Sequence, residues 1–209
     1  GRRDGTGGTR SNPLYFVSAS PPQLRRAIQK KMLIDGVEFD GITFKDSVAL
    51  IQLRKLHNLK HQVGYKLSAL MNRRDLPWTA REHLFGDDSE SDALIYSLYA
   101  DIVAGRLRGD ALEATLVHNA VEADDAAYVR GLTDDMPHAE LVQGIYIHLE
   151  GRSPPSRFAA FGPRVVPCWD TFQMATILQA ADLIDEAAVL DVGRALAQRH
   201  GYSKLALLR

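Results

Sequence analysis

The chain has 209 residues, 45% of them hydrophobic, which is enough to fill a core and excludes a disordered polypeptide. A formal net charge of -1, from 25 basic and 26 acidic side chains, gives no electrostatic case for nucleic acid or an anionic membrane as partner. The single cysteine, Cys168, excludes an intrachain disulfide and fits a reducing, cytoplasmic compartment. No apolar run is long enough to span a bilayer, so no transmembrane segment is expected. The start lacks the apolar centre of a signal peptide and an initiator Met, which suggests a processed, cut or incompletely recorded chain.

In chain order, residues 1–12 are rich in Gly, Arg and Ser and read as a flexible lead-in. Leu14-Tyr15-Phe16-Val17 is a β-prone apolar run, expected as a buried strand. Ser20 then stands as a helix cap before Pro21-Pro22, and a helix is predicted from 23 to about 33 with Leu24, Ile28 and Met32 on one face. Gly41-Ile42-Thr43-Phe44 is a second strand. Residues 48–59 alternate apolar and basic side chains at helical spacing, and 65–71 form a short helix carrying Lys66. Residues 72–78 read as a loop. Leu84-Phe85 ends a third buried strand, and a helix follows from Ala93 to about Val103. Helices are predicted around 111–121 and 124–132, and a buried strand over 141–149. Val165-Val166-Pro167 is extended, Asp170 or Thr171 caps a helix to about 183, and 186–200 is the last helix. Strands alternating with helices imply α/β architecture with a parallel sheet covered on both faces.

The most informative stretch is Gly86-Asp87-Asp88-Ser89-Glu90-Ser91-Asp92. Open α/β sheets place ligands at the carboxyl ends of parallel strands, which is where these acids fall. Crowded carboxylates raise each other's pKa unless a cation joins them, and hard oxygen donors suit Mg²⁺. The plain alternative is a helix start, since Asp and Ser cap helices and acids favour the positive end of the dipole.

Three stretches together resemble the haloacid dehalogenase (HAD) superfamily. Tyr15-Phe16-Val17-Ser18 matches its strand ending in a hydroxyl residue, Lys66 in Gly64-Tyr65-Lys66-Leu67 matches its helical lysine, and Gly86-Asp87 with Asp92 matches its acidic strand end, Asp88 being a further candidate. The likeness is narrower still to the catalytic domain of actin-patch-type phosphatidate phosphatases and their bacterial relatives. It is carried by Phe16-Val17-Ser18-Ala19-Ser20-Pro21, Gly41-Ile42-Thr43-Phe44-Lys45-Asp46, Phe85 to Asp92, Ile145-Tyr146-Ile147 and Val166-Pro167 to Asp170-Thr171. It implies a three-layer α/β/α, Rossmann-like domain over 13–183, with 184–209 as a C-terminal helix packing on the core. The implied activity is Mg²⁺-dependent hydrolysis of a phosphomonoester through an aspartyl-phosphate. Ser18, with Ala19 and Ser20 at the following helix start, would bind the phosphoryl group. Lys66 would offset its charge. Asp87 would hold Mg²⁺ directly, and Asp88 or Asp92 would do so through water or hold Lys66.

The chain departs from that family in one respect: no Asp-x-Asp-x-Thr occurs in it. Arg2-Arg3-Asp4-Gly5-Thr6 imitates the motif's tail, but Arg2 stands where the nucleophile belongs, and too few residues follow for a helical crossover. In the family that motif lies on the middle strand. The expectation is therefore a sheet without its central first strand, completed by an N-terminal fragment of the same polypeptide. The rival reading is a catalytically inactive domain binding a phosphorylated ligand or a partner protein. A sensor-type domain with an acidic Mg²⁺ pocket is a third, disfavoured because its early acid pair is missing. The substrate is expected to be a phosphorylated small molecule, lipid or protein. His57 and His61 have zinc-compatible spacing but no adjacent Glu, and read as surface-helix residues. Cys168, His148, Asp124-Asp125 and Asp134-Asp135 read as core, rim or helix-end residues.

Overall fold

The computed structural model describes residues 12–18, 20, 22–44, 60–72 and 79–200. The chain falls into two compact units, one of residues 13–83 and 90–143, the other including 84–89 and 144–209.

In the first unit, β1 (Tyr15–Ser18) pairs in parallel with β2 (Gly41–Phe44), from Tyr15 opposite Gly41 to Ser18 opposite Phe44. A 3-10 turn (Pro22–Leu24) and α1 (Arg25–Ile34) form the crossover. Leu24 is the N-cap residue of α1 and supplies no side-chain bond, so Ser20 is not its cap; the Ser20 N–H instead donates to Ser18 Oγ at 3.1 Å. β1 is half-buried at best, short of the buried strand expected, and no residue of α1 is buried. α2 (Lys60–Asn72) packs on β1, on α3 (Asp92–Val103) and on α5 (Ala123–Gly131). It starts well before the 65–71 helix read from the sequence. Gly64 permits the close approach to the α5 side, since a Cβ there would lie 3.1 Å from Val121 Cγ1. α4 (Gly109–His118) packs against α5. The core of this unit is Val63, Leu67, Ile95, Ile102, Val103, Leu112, Leu116 and Val129, all nearly or fully removed from solvent.

A second parallel sheet has the order β3 (Glu82–Asp87), β4 (Val142–His148), β5 (Val165–Cys168). β4 and β5 are parallel, from Ile145 opposite Val165 to His148 opposite Cys168. β3 runs the same way as β4, because the Glu82 N–H donates to the Leu141 carbonyl at 2.8 Å and the Asp88 N–H to the His148 carbonyl at 3.0 Å. β4 is central, and Ile145, Tyr146 and Ile147 are buried on both faces, as its continuous apolar run predicts. Among the described residues β3 is an edge strand. Phe85 is therefore 45% exposed, with its ring stacked on Tyr146 at 5.1 Å, which corrects the expectation of a buried strand end. β5 carries Pro167, tolerable because among the described residues this strand too is an edge. A 3-10 turn (Pro155–Phe161) packs on β5. α6 (Thr171–Ala180) follows, capped by Asp170, whose Oδ1 accepts the Gln173 N–H at 2.8 Å. α7 (Glu186–His200) packs on α6.

The protein is thus α/β with parallel strands and helices, compatible with the Rossmann-like class. The described strands form two sheets, β1-β2 and β3-β4-β5, and among the described residues no strand joins β1 to β3. Among the described residues no helix is long and apolar enough to cross a membrane. Residues 45–59 and 73–78, with His57, lie outside the described residues.

Candidate functional site

Lys66 is the anomaly of the first unit. Lysines are normally solvated, yet this one is 4% exposed, on α2 beside Val63 and Leu67. Its Nζ donates to Oδ1 of Asp92 at 2.5 Å and also to Oε2 of Glu90. Asp92 is itself 4% exposed and opens α3, where the helix dipole favours a carboxylate. Burial pushes the Lys66 ammonium down, but the Asp92 and Glu90 carboxylates more than offset it, so the pKa lies above the ordinary lysine value. One cation thus faces two anions in a region largely closed to water, and Lys66 stays charged there.

Ser18 ends β1 in the same unit. Its hydroxyl oxygen accepts the Ser20 N–H, and among the described residues that hydroxyl donates to nothing. The Ser18 carbonyl accepts from the Tyr65 hydroxyl at 3.4 Å, which ties the strand end to α2 one residue before Lys66. Ala19 lies outside the described residues.

In the second unit Asp87 ends β3, and its Oδ1 accepts the Ser89 N–H at 2.8 Å and the Ser89 hydroxyl at 2.5 Å. Asp88 does a different job. Its Oδ1 accepts the Gly151 N–H at 2.6 Å and its Oδ2 the Ser153 N–H at 2.8 Å, so it pins the connection after β4. Burial alone would raise its carboxyl, but the backbone donors of Ser153 and Gly151 hold it below the ordinary value of 3.8. Gly151 suits this approach: a Cβ there would stand 3.1 Å from Asp88 Oδ1, a tight contact that would press on the carboxylate. Between the Gly151 and Ser153 donors, Arg152 takes a φ of +57°.

The structure therefore separates the jobs of the three expected metal ligands. Asp92 holds Lys66, Asp88 holds a loop, and Asp87 keeps the strand-end position. Among the described residues no group of three His, Cys, Asp or Glu side chains is arranged to hold a metal ion. A lone carboxylate such as Asp87 would suit Mg²⁺ only if water and phosphate oxygens completed the ion's octahedron. Glu90 was missed by the sequence reading. Its signal is its place in the acidic run, two residues before Asp92, which the family pattern passes over. Cys168 is fully buried and its thiol is pushed up to about 11 by burial and by Asp170. His148 sits half-buried at the end of β4. Asp124 and Asp125 lie in the first turn of α5.

No family model, curated protein or solved structure matches this chain.

Proposed function

We propose that this chain carries most of a Mg²⁺-dependent phosphomonoester hydrolase with the three-layer α/β/α fold of the HAD type, in the phosphatidate-phosphatase-like branch. The buried Lys66, held by Asp92 and Glu90, is the observation that carries the reading. A core lysine gains nothing from packing that an apolar side chain would not supply better. An ammonium has three donors, and two carboxylates leave one for a phosphoryl oxygen or an attacking aspartate. Phosphoryl transfer is mostly positioning and charge neutralisation, and a preorganised cation supplies both. Ser18 would donate its hydroxyl proton to the phosphoryl group. Asp87 would hold Mg²⁺, which screens phosphate from nucleophile and polarises phosphorus when bound.

The nucleophile of this reading is an aspartate upstream of Gly1. The test is hydrolysis of an aryl phosphate by the polypeptide that includes those upstream residues, with and without Mg²⁺. Lys66→Met and Asp87→Asn should each lower kcat by at least ~100-fold, and Asp88→Asn should act chiefly through stability. Turnover indifferent to Mg²⁺ and to both substitutions rejects the assignment. The absence of Asp-x-Asp-x-Thr from these 209 residues favours one rival, an inactive domain that binds a phosphorylated ligand or partner. That rival predicts phosphate-dependent binding with no turnover in the longer polypeptide.

A further inference from the structure

The face of α1 turned away from Ile28 and Met32 combines basic side chains with exposed aliphatic ones. The helix holds Arg25, Arg26, Lys30 and Lys31 and no acid, although the whole protein has a formal net charge of -1. Arg25 lies over the Phe44 ring at 5.2 Å, and Lys31 pairs with Asp35 at the helix end. Among the described residues Arg26 and Lys30 have no ion-pair partner. Helical spacing puts Arg26, Lys30, Leu33 and Ile34 on one side, opposite the half-buried Ile28 and Met32. Leu33 is 79% and Ile34 69% exposed, and Val37 adds a third apolar side chain just past the Gly36 turn. Of the acids that follow, Asp35 is taken by Lys31 and Asp40 accepts the Leu14 N–H at 2.7 Å, which leaves Glu38.

We propose that this face of α1 docks onto an anionic lipid bilayer. A cationic helix with a bare aliphatic tip is the pattern of an interfacial segment: the apolar side chains enter the boundary of headgroups and acyl chains while the basic heads reach lipid phosphates. The aliphatic stems of Arg26 and Lys30 lie along the inserted surface with their charges directed outward. A protein groove would also accept Leu33 and Ile34, but lysine is depleted from protein interfaces, and here Arg26 and Lys30 flank the apolar pair while the neighbouring Asp35 is paired with Lys31. The formal charge of the chain conceals this face because it averages over all 209 residues. The proposal stands apart from the phosphatase reading.

The test is flotation of the 209-residue chain with vesicles of phosphatidylcholine alone and with about one-third phosphatidylserine. Binding is expected to the anionic vesicles only, and to vanish at about 1 M salt. Arg26→Gln and Lys30→Gln should each weaken it roughly fivefold, and Leu33→Ser with Ile34→Ser about tenfold or more. All four positions are exposed, so unchanged circular dichroism should accompany each loss. Failure to bind either vesicle, or equal binding to both, overturns the proposal. So does a Leu33→Ser, Ile34→Ser pair that leaves vesicle binding intact while abolishing self-association, which would make the face a protein contact. The readout is binding, so loss of the phosphatase reading leaves this result standing.

Discussion

Lys66 and Asp92 hold each other in place, and each is a hazard without the other. Both are 4% exposed and joined at 2.5 Å. Removing one partner of such a pair leaves an uncompensated charge out of water and typically costs about 3–5 kcal/mol. Lys66→Met is therefore expected to lower the urea unfolding free energy by that amount. The pair Lys66→Met with Asp92→Leu should recover most of it, since two apolar side chains substitute for an ion pair at little loss. A double-mutant cycle measures both. A Lys66→Met cost below about 1 kcal/mol would mean that the lysine is solvated after all. Ser97 offers the opposite case. Its Oγ is buried on α3 with no hydrogen-bond partner among the described residues. Ser97→Ala removes an unsatisfied group and improves helix propensity, so it should stabilise the protein by about 1 kcal/mol in the same unfolding experiment.

Several helices end in the same device, with different residues at its strained position. After α1, Gly36 takes φ +69°, and its N–H and that of Val37 donate back to Leu33 and Met32. After α3, Gly105 does the same, and a Cβ there would stand 2.8 Å from His138 Cγ. After α4 the position belongs to Ala120, at φ +60°, with the Val121 N–H donating to the Leu116 carbonyl at 3.0 Å. A Cβ in the left-handed region costs roughly 1 kcal/mol. Ala120→Gly should raise stability by about that much, read as a higher thermal midpoint, and Gly105→Ala should lower it by more. Elements such as α5, α6, α7 and β4 were legible because their signals are local: periodicity, the Asp170 cap, an unbroken apolar run. The pairing of β3 with β4 and of β4 with β5 was not legible, since strand order depends on contacts distant in sequence. The exposure of Phe85 follows from that same strand order. For the site, the acidic run was visible but its division of labour was not. Nothing local distinguishes Asp88, whose partners are the N–H groups of Gly151 and Ser153, from Asp92, whose partner is Lys66.

For the molecule as a whole, these shifts define where stability bends with pH. Cys168 is pushed from 9.0 to about 11 by burial and by Asp170. Tyr146 is raised above 10.0 by burial and by Cys168. Lys66 ends above 10.5 because Asp92 and Glu90 outweigh its burial. All three bind their proton more tightly folded than unfolded. Their contribution is complete below the unfolded values and is lost as pH rises through the folded ones. Asp88 has the opposite sign: held below 3.8, it contributes above that value and loses its contribution as pH falls through its folded one. These groups therefore add no slope from about pH 5 to about pH 8 and a steep loss above about pH 9. The urea midpoint should be flat over the first interval and fall through the second. Cys168→Ala removes the earliest of the three titrations, so the fall should begin nearer 10, the ordinary tyrosine value. Lys66→Met should leave that onset in place and flatten the far alkaline limb. A midpoint that rises above pH 9 would mean that the thiol and the ammonium are not held in the surroundings described for them.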